Sequence, residues 1–268
     1  MKSHAIMYHD VIPFGRPDVS GFQSPDADIY KLDKEHFQDH LSAIKASGRS
    51  QYVTSIDRFL KWGEVNPVFL TFDDGGVSFF DTIAEMLEEN GWHGHFFITT
   101  GRIGTPGFLS AYQIAELRRR GHVIGTHSVT HPHRMSALSR TDLMHEWGYS
   151  RNTLEDIIGE SVRVASVPGG MYSRAVGEAA AESGILFLFN SEPTTAVDEI
   201  AGCRVLGRFN VQRDMRAAAS AQFATGLGFM PFRQSVFWKM KKVLKSNGGE
   251  SYLRLRSFVI RNKMHAGK

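Results

Sequence analysis

Residues 70–76 read Leu70-Thr71-Phe72-Asp73-Asp74-Gly75-Gly76, and they close an apolar run that begins at Val68. Taken alone, Asp-Asp-Gly-Gly is ordinarily a turn, because Asp tolerates turn conformations and Gly supplies positive φ. The run Val68–Phe72 changes that reading: it is a buried strand, and it sets both carboxylates at the strand's end. Further along, Gly125-Thr126-His127-Ser128-Val129-Thr130-His131-Pro132 places two imidazoles four residues apart, directly after a second short apolar strand. One carboxylate and two imidazoles can hold a divalent ion and leave positions open for water and substrate. The other carboxylate then stands beside the ion, where a general base belongs. His133 is close enough to compete as a ligand and reads instead as a surface or outer residue.

Around these two motifs the chain alternates between strand and helix patterns. Strands are expected at Ala5–Met7, Val68–Phe72, His95–Thr99, His122–Gly125, Val162–Val167 and Ile185–Phe189. Helices are expected from Asp33 toward Gly48, over about Ser78–Asn90, from Ser110 to Gly121, over about Thr141–Ile158 and around Arg174–Ser183. Residues 13–30 are rich in Pro and Gly and read as a loop. This order predicts an α/β fold with parallel strands, whose catalytic loops gather at the carboxyl ends of the strands. The candidate chemistry falls at those ends: His9-Asp10 after the first strand, Asp73-Asp74 after Val68–Phe72, and His127 after His122–Gly125. Pro168-Gly169-Gly170 follows another strand. A tight turn explains its glycines fully, and close backbone approach that shapes a substrate groove is the functional alternative. Trp92, Phe96, Phe97 and Trp147 read as core.

The chain has 268 residues, enough for one large domain with a buried core. The one cysteine, Cys203, rules out an intrachain disulfide. The opening residues carry no signal-type apolar run, so the default expectation is a cytoplasmic protein. The net charge of +3 is unevenly spread. Residues 231–268 hold ten Lys/Arg and the single acid Glu250, a balance of +9, which leaves −6 for residues 1–230. The body is therefore acidic, which argues against nucleic acid as its partner. In residues 235–246, Val236, Phe237, Met240, Val243 and Leu244 recur at helical spacing opposite Lys239, Lys241, Lys242 and Lys245. Such a stripe is the ordinary mark of a helix docked on a core, and that is the expectation. A peripheral contact with an anionic membrane is the alternative.

Together these residues resemble the polysaccharide deacetylase family, the NodB-homology or carbohydrate esterase family 4 enzymes, over roughly residues 4–210. Thr71-Phe72-Asp73-Asp74-Gly75 is similar to the family's first motif, and His127-Ser128-Val129-Thr130-His131 to its second, His-Ser/Thr-x-x-His. The resemblance implies a distorted (β/α) barrel of the NodB-like type. It implies a divalent metal held by Asp74, His127 and His131, most often zinc, with cobalt or nickel as alternatives, and Asp73 as base. Two departures stand out. The third motif, Arg-x-Pro-x-Gly, appears as Ser166-Val167-Pro168-Gly169-Gly170, so the Arg that orients the catalytic Asp is missing or comes from elsewhere. The last motif, which supplies a His as acid, has no counterpart at Leu206-Gly207-Arg208-Phe209. Met7-Tyr8-His9-Asp10 fits it instead, as in the circularly permuted subgroup that acts on exopolysaccharides such as poly-N-acetylglucosamine.

The resulting expectation is a catalytic domain over residues 1–215 and a basic helical extension over residues 216–268. The activity expected is metal-dependent removal of N-acetyl groups from an amino-sugar-containing saccharide. In it Asp73 takes a proton from water, His9 held by Asp10 protonates the leaving amine, and Gly75 or Gly76 offers a backbone N–H to the oxyanion. Pro168 and Gly169 shape the substrate groove. Hydrolysis of a non-sugar amide or cyclic imide, and a non-catalytic saccharide-binding role, remain as alternatives.

Overall fold

The computed structural model describes residues 2–63 and 65–240. Its strands are β1 (His4–Tyr8), β2 (Val11–Ile12), β3 (Leu32–Asp33), β4 (Val68–Phe72), β5 (His95–Ile98), β6 (Val123–Thr126), β7 (Val164–Ser166), β8 (Phe187–Phe189), β9 (Val197–Ile200), β10 (Cys203–Leu206) and β11 (Phe209–Asn210). The helices are α1 (Pro25–Asp28), α2 (Lys34–Ile44), α3 (Ile56–Trp62), α4 (Ala84–Glu88), α5 (Ala111–Arg119), α6 (Arg140–Ile158), α7 (Arg174–Glu182) and α8 (Ala218–Thr225), and residues 229–240 are helical as well.

Nine strands form one curled sheet in the order β11-β1-β4-β5-β6-β7-β8-β10-β9. All neighbours run parallel except β9, which is antiparallel to β10. This is the distorted (β/α) half-barrel expected from the sequence. Every residue of β1, β4, β5 and β6 is buried, as continuous apolar strands covered on both faces require. Across the opening of the curl, Lys2 before β1 bridges Ala196 before the edge strand β9, and the Ser3 N–H donates to the Thr195 carbonyl.

The helices begin and end where their side chains dictate. Ser110 and Gln113 form a reciprocal capping box at the start of α5, Ser139 caps α6, and α6 stops at Gly159, whose φ of 69° suits glycine. The helix expected over Ser78–Asn90 opens as a wide turn over Phe79–Ile83 before α4. Residues 13–30 are held down by Lys31. Its buried ammonium donates to the Pro17 and Phe22 carbonyls at 2.6 and 2.7 Å.

A large cluster led by Phe37, Phe72, Phe79 and Phe96 fills the space between β1, β4, β5 and their helices. α8 joins that cluster: Ala219, Phe223 and Ala224 are buried in it, and Phe223 stacks on Phe209 at 5.1 Å. Residues 218–225, assigned by sequence to the extension, thus pack into the same core as β1 and β4. Lys241, Lys242, Val243, Leu244 and Lys245 of the predicted amphipathic helix lie outside the described residues.

Candidate active site

Parallel pairing brings the ends of β1, β4, β6 and β7 to one rim. β1 lies between β11 and β4, with Met7 opposite both Asn210 and Thr71, so the first strand delivers His9 beside the Asp pair. Two adjacent residues on an extended strand point to opposite sides. Asp73 and Asp74 escape this because Asp74 has φ of 89°, outside the extended region, and the chain turns there. Ser128 and His131 also have positive φ, 67° and 56°. Such conformations cost free energy in non-glycine residues and cluster at functional sites.

Asp74 Oδ1 lies 3.4 Å from Nε2 of His127 and 3.4 Å from Nε2 of His131. Among the described residues this is the group of three whose ligand atoms lie within 4.8 Å of one another. Two ligands of a tetrahedral ion at about 2.0–2.1 Å are separated by about 3.3 Å, so these atoms fit a zinc-sized ion. The donor chemistry fits too. His127 Nδ1 lies 3.1 Å from the Ser166 carbonyl and 2.5 Å from the Ser166 hydroxyl; the tautomer that donates Nδ1–H to the carbonyl leaves the Nε2 lone pair for an ion. Burial pushes the Asp74 carboxyl up, but contacts from His127 and His131 outweigh it and hold the group well below the usual range. At His131 burial lowers the imidazole pKa, and Asp74 raises it more. His133 is exposed and stands apart from the group.

The loop carrying both imidazoles is held from behind by Glu146 of α6. Its buried carboxylate accepts the Val129 and Thr130 N–H groups at 2.8 and 3.0 Å and the Thr130 hydroxyl at 2.6 Å. The Ser128 hydroxyl accepts the His131 N–H. Phe22 tilts onto the His131 ring at 4.9 Å, and the Arg102 guanidinium lies 5.3 Å above Phe22.

Asp73 is buried and clamped. Arg208 donates Nη1 to Oδ1 at 2.7 Å and Nη2 to Oδ2 at 2.8 Å, while its Nε donates to the Asn190 carbonyl. The Ser166 hydroxyl adds a bond to Oδ1 at 3.1 Å. Burial alone would raise the Asp73 carboxyl; Arg208 first, then His127, bring it below the usual carboxylate value. Oδ2 has one donor to Oδ1's two and lies 4.0 Å from His127 Nε2, so it is the oxygen that faces the imidazoles. Ser166 stands at the position where the third motif normally has Arg. The guanidinium reaches Asp73 instead from the turn between β10 and β11. In the sequence, Leu206-Gly207-Arg208-Phe209 stands out only for its lack of His. The available signal was an Arg inside a buried apolar stretch, which needs an acid partner.

His9 follows β1, which pairs with β4, and it lies near enough to Asp74, Asp73, Arg208 and His127 for their charges to act on it, although burial dominates and lowers its pKa. Its ring stacks on Tyr30, centroids 4.7 Å apart, and its buried Nδ1 has no hydrogen-bond partner among the described residues. Asp10 does not hold it, contrary to the sequence expectation. Strand alternation points Asp10 the other way, where it accepts hydrogen bonds from Ser20 at 2.5 Å and Ser78 at 2.8 Å. Burial pushes the Asp10 carboxyl up to about 6. Gly76 lets this carboxylate approach: a Cβ there would stand 1.9 Å from Asp10 Oδ1. Gly75 has φ of 89°. Pro168 starts a turn in which Gly169 and Gly170 have φ of 61° and 65°, so tight turn geometry accounts for both glycines.

If Asp74, His127 and His131 are the ligands, each single change to Ala removes one of three and strongly lowers bound zinc by elemental analysis. Full occupancy in the His131→Ala protein would contradict the ligand set.

Residues 63–188 match the polysaccharide deacetylase family. YheN of Bacillus subtilis (strain 168), a protein named after that family, is 32% identical over 103 residues. That match covers 38% of this chain and 35% of YheN, so the chain spans about a third of that relative. The Streptococcus pyogenes deacetylase PplD, solved in complex with acetate, superposes with a TM-score of 0.63 at 20% identity, over 81% of this chain and 95% of that one. IcaB from Ammonifex degensii gives 0.63 at 19% identity, over 83% and 97%. At this identity the two structures speak for a shared fold.

Proposed function

We propose, from the match of residues 63–188 to the polysaccharide deacetylase family, that the chain is a metal-dependent hydrolase that removes N-acetyl groups from an amino-sugar polymer or oligomer. An exopolysaccharide of the poly-N-acetylglucosamine type is the first candidate substrate, since the proposed acid comes from the first strand. The observation that carries the reading is the Asp74–His127–His131 group with Asp73, clamped by Arg208, directly beside it.

Asp74, His127 and His131 would hold the ion, which when bound supplies Lewis acidity toward an acetyl carbonyl and acidifies water. The remaining work falls to the chain. Asp73 is ionised at neutral pH, fixed by Arg208 and Ser166, and presents Oδ2 to take the proton of the attacking water. The N–H groups of Gly75 and Gly76 donate none of the hydrogen bonds found among the described residues, which leaves them for the oxyanion. His9, held by its stack on Tyr30, gives a proton to the sugar nitrogen as the C–N bond breaks, releasing acetate and a free amine.

Burial lowers the His9 pKa despite the two carboxylates that raise it. The acid must carry its proton, and the protonated fraction falls as pH rises through the folded pKa. The alkaline limb of the rate profile should therefore lie below the ordinary imidazole range, near 6.5. His9→Ala should remove that limb and cost about 10²–10⁴-fold in kcat; an unchanged alkaline limb in this variant would take His9 out of the role. The functional reading is tested by acetate release from a panel of N-acetylated oligosaccharides, with zinc, cobalt and nickel, alongside ring opening of a cyclic imide. Imide hydrolysis without acetate release would replace the sugar reading by the non-sugar one.

A further inference from the structure

The helix over residues 229–240 is docked by one face, anchored through polar side chains. Gln234 exchanges hydrogen bonds with the Asn210 backbone at 3.1 and 2.6 Å, and the Ser235 hydroxyl donates to the Pro193 carbonyl at 2.7 Å. Pro231 is buried, and the Trp238 ring edge lies 3.3 Å from where a Gly170 Cβ would stand. At about 100° per residue these four positions form one face. Asn210 ends β11 and Gly170 follows β7, so the helix lies on the same rim as the candidate active site.

The opposite side is apolar and uncovered among the described residues. Phe229, Phe232, Val236 and Met240 are 67%, 66%, 40% and 58% exposed. They fall within about 80° of one another and about 150° from the docked face. Arg233 and Lys239, both exposed, border this stripe on either side. The expectation that the apolar face packs back on the barrel therefore fails for the described part of the helix, because polar anchors to Asn210 and Pro193 set its rotation.

We propose that this stripe seats the protein on an anionic lipid surface. Large apolar side chains flanked by cations, on a helix lying flat against its own domain, match the interfacial arrangement in which rings enter the acyl boundary and long basic side chains reach headgroups. The chemistry of the rest of the segment agrees: residues 231–268 carry ten Lys/Arg against one acid, whereas residues 1–230 have a balance of −6. A second copy of the chain would bring the same positive segment against itself, which disfavours self-pairing here. Seated this way, the rim that carries the candidate active site lies beside the lipid.

The test is co-sedimentation of the full chain with phosphatidylglycerol vesicles and, separately, with phosphatidylcholine vesicles. Binding to the anionic vesicles is expected, with little to the neutral ones. The triple change Phe232→Ser, Val236→Ser, Met240→Ser should weaken it by about tenfold or more, with the melting transition and acetate release from a soluble oligosaccharide unchanged. Arg233→Glu with Lys239→Glu should weaken it without touching the stripe, as a check that does not rely on one variant's folding. Failure to bind, equal binding to neutral vesicles, or undiminished binding of the triple variant would overturn the proposal. So would a wild-type dimer that the triple change dissociates, which would assign the stripe to a second copy.

Discussion

Replacing Arg208 by Ala should nearly abolish activity and strongly destabilise the protein. Arg208 is fully buried, and it spends both terminal nitrogens on the buried Asp73. Removing one partner of a buried ion pair leaves an uncompensated charge and typically costs about 3–5 kcal/mol. The buried carboxylate relieves that cost by taking a proton. Asp73 has a folded pKa below its ordinary value, so the pairing stabilises the fold above the unfolded pKa, near 3.9, and that contribution is lost as pH falls through the folded value. The stability gap between wild type and Arg208→Ala should therefore be widest where the variant's Asp73 is still ionised, and shrink as pH falls from its raised pKa toward the lower wild-type value. A base must be ionised to act, so the acidic limb of the rate profile should move to higher pH in the variant. Arg208→Lys should recover part of the stability but not the two-pronged geometry. An Arg208→Ala protein with an unmoved acidic limb would show that Arg208 does not set the state of Asp73.

Asp73→Asn should separate chemistry from ligation. Asn keeps the volume and can still meet Ser166, but it cannot take a proton from water. Turnover should fall by about 10²–10⁴-fold, while zinc measured by elemental analysis stays at the wild-type level, since Asp74, His127 and His131 form the ligand group without it. Loss of zinc in step with activity would make Asp73 a ligand instead. Retention of most activity would place the base elsewhere.

The contrast between these two residues shows what the sequence could disclose. Asp73, Asp74, His127 and His131 were legible because each motif is short and follows a strand whose apolar run marks the rim it opens on. The parallel sheet was legible from the same alternation of strands and helices, although β7 and β8 are shorter than their apolar runs suggested. Arg208 was not legible. Its partner is 135 residues away, and the meeting depends on β10 and β11 joining the sheet at positions that their few residues do not announce. The exchange of Arg for Ser166 at one strand end, compensated from another, is a tertiary event. Glu146 was hidden likewise, since its acceptor role depends on where α6 lies behind the His127–His131 loop. Asp10 misled for a local reason: adjacency in sequence to His9 puts the two side chains on opposite sides of an extended chain. Tyr30, which does stack on His9, sits in a stretch read only as loop.

In the proposed reaction the Asp73 carboxylate, beside a divalent ion held by Asp74, His127 and His131, drives removal of acetyl groups from an N-acetylated saccharide. Acetate released from N-acetylglucosamine oligomers, measured before chelation, after chelation and after return of zinc, tests it most directly. Release should stop on chelation and resume with zinc. Release indifferent to chelation, or none from any N-acetylated saccharide by a zinc-loaded protein, would contradict it.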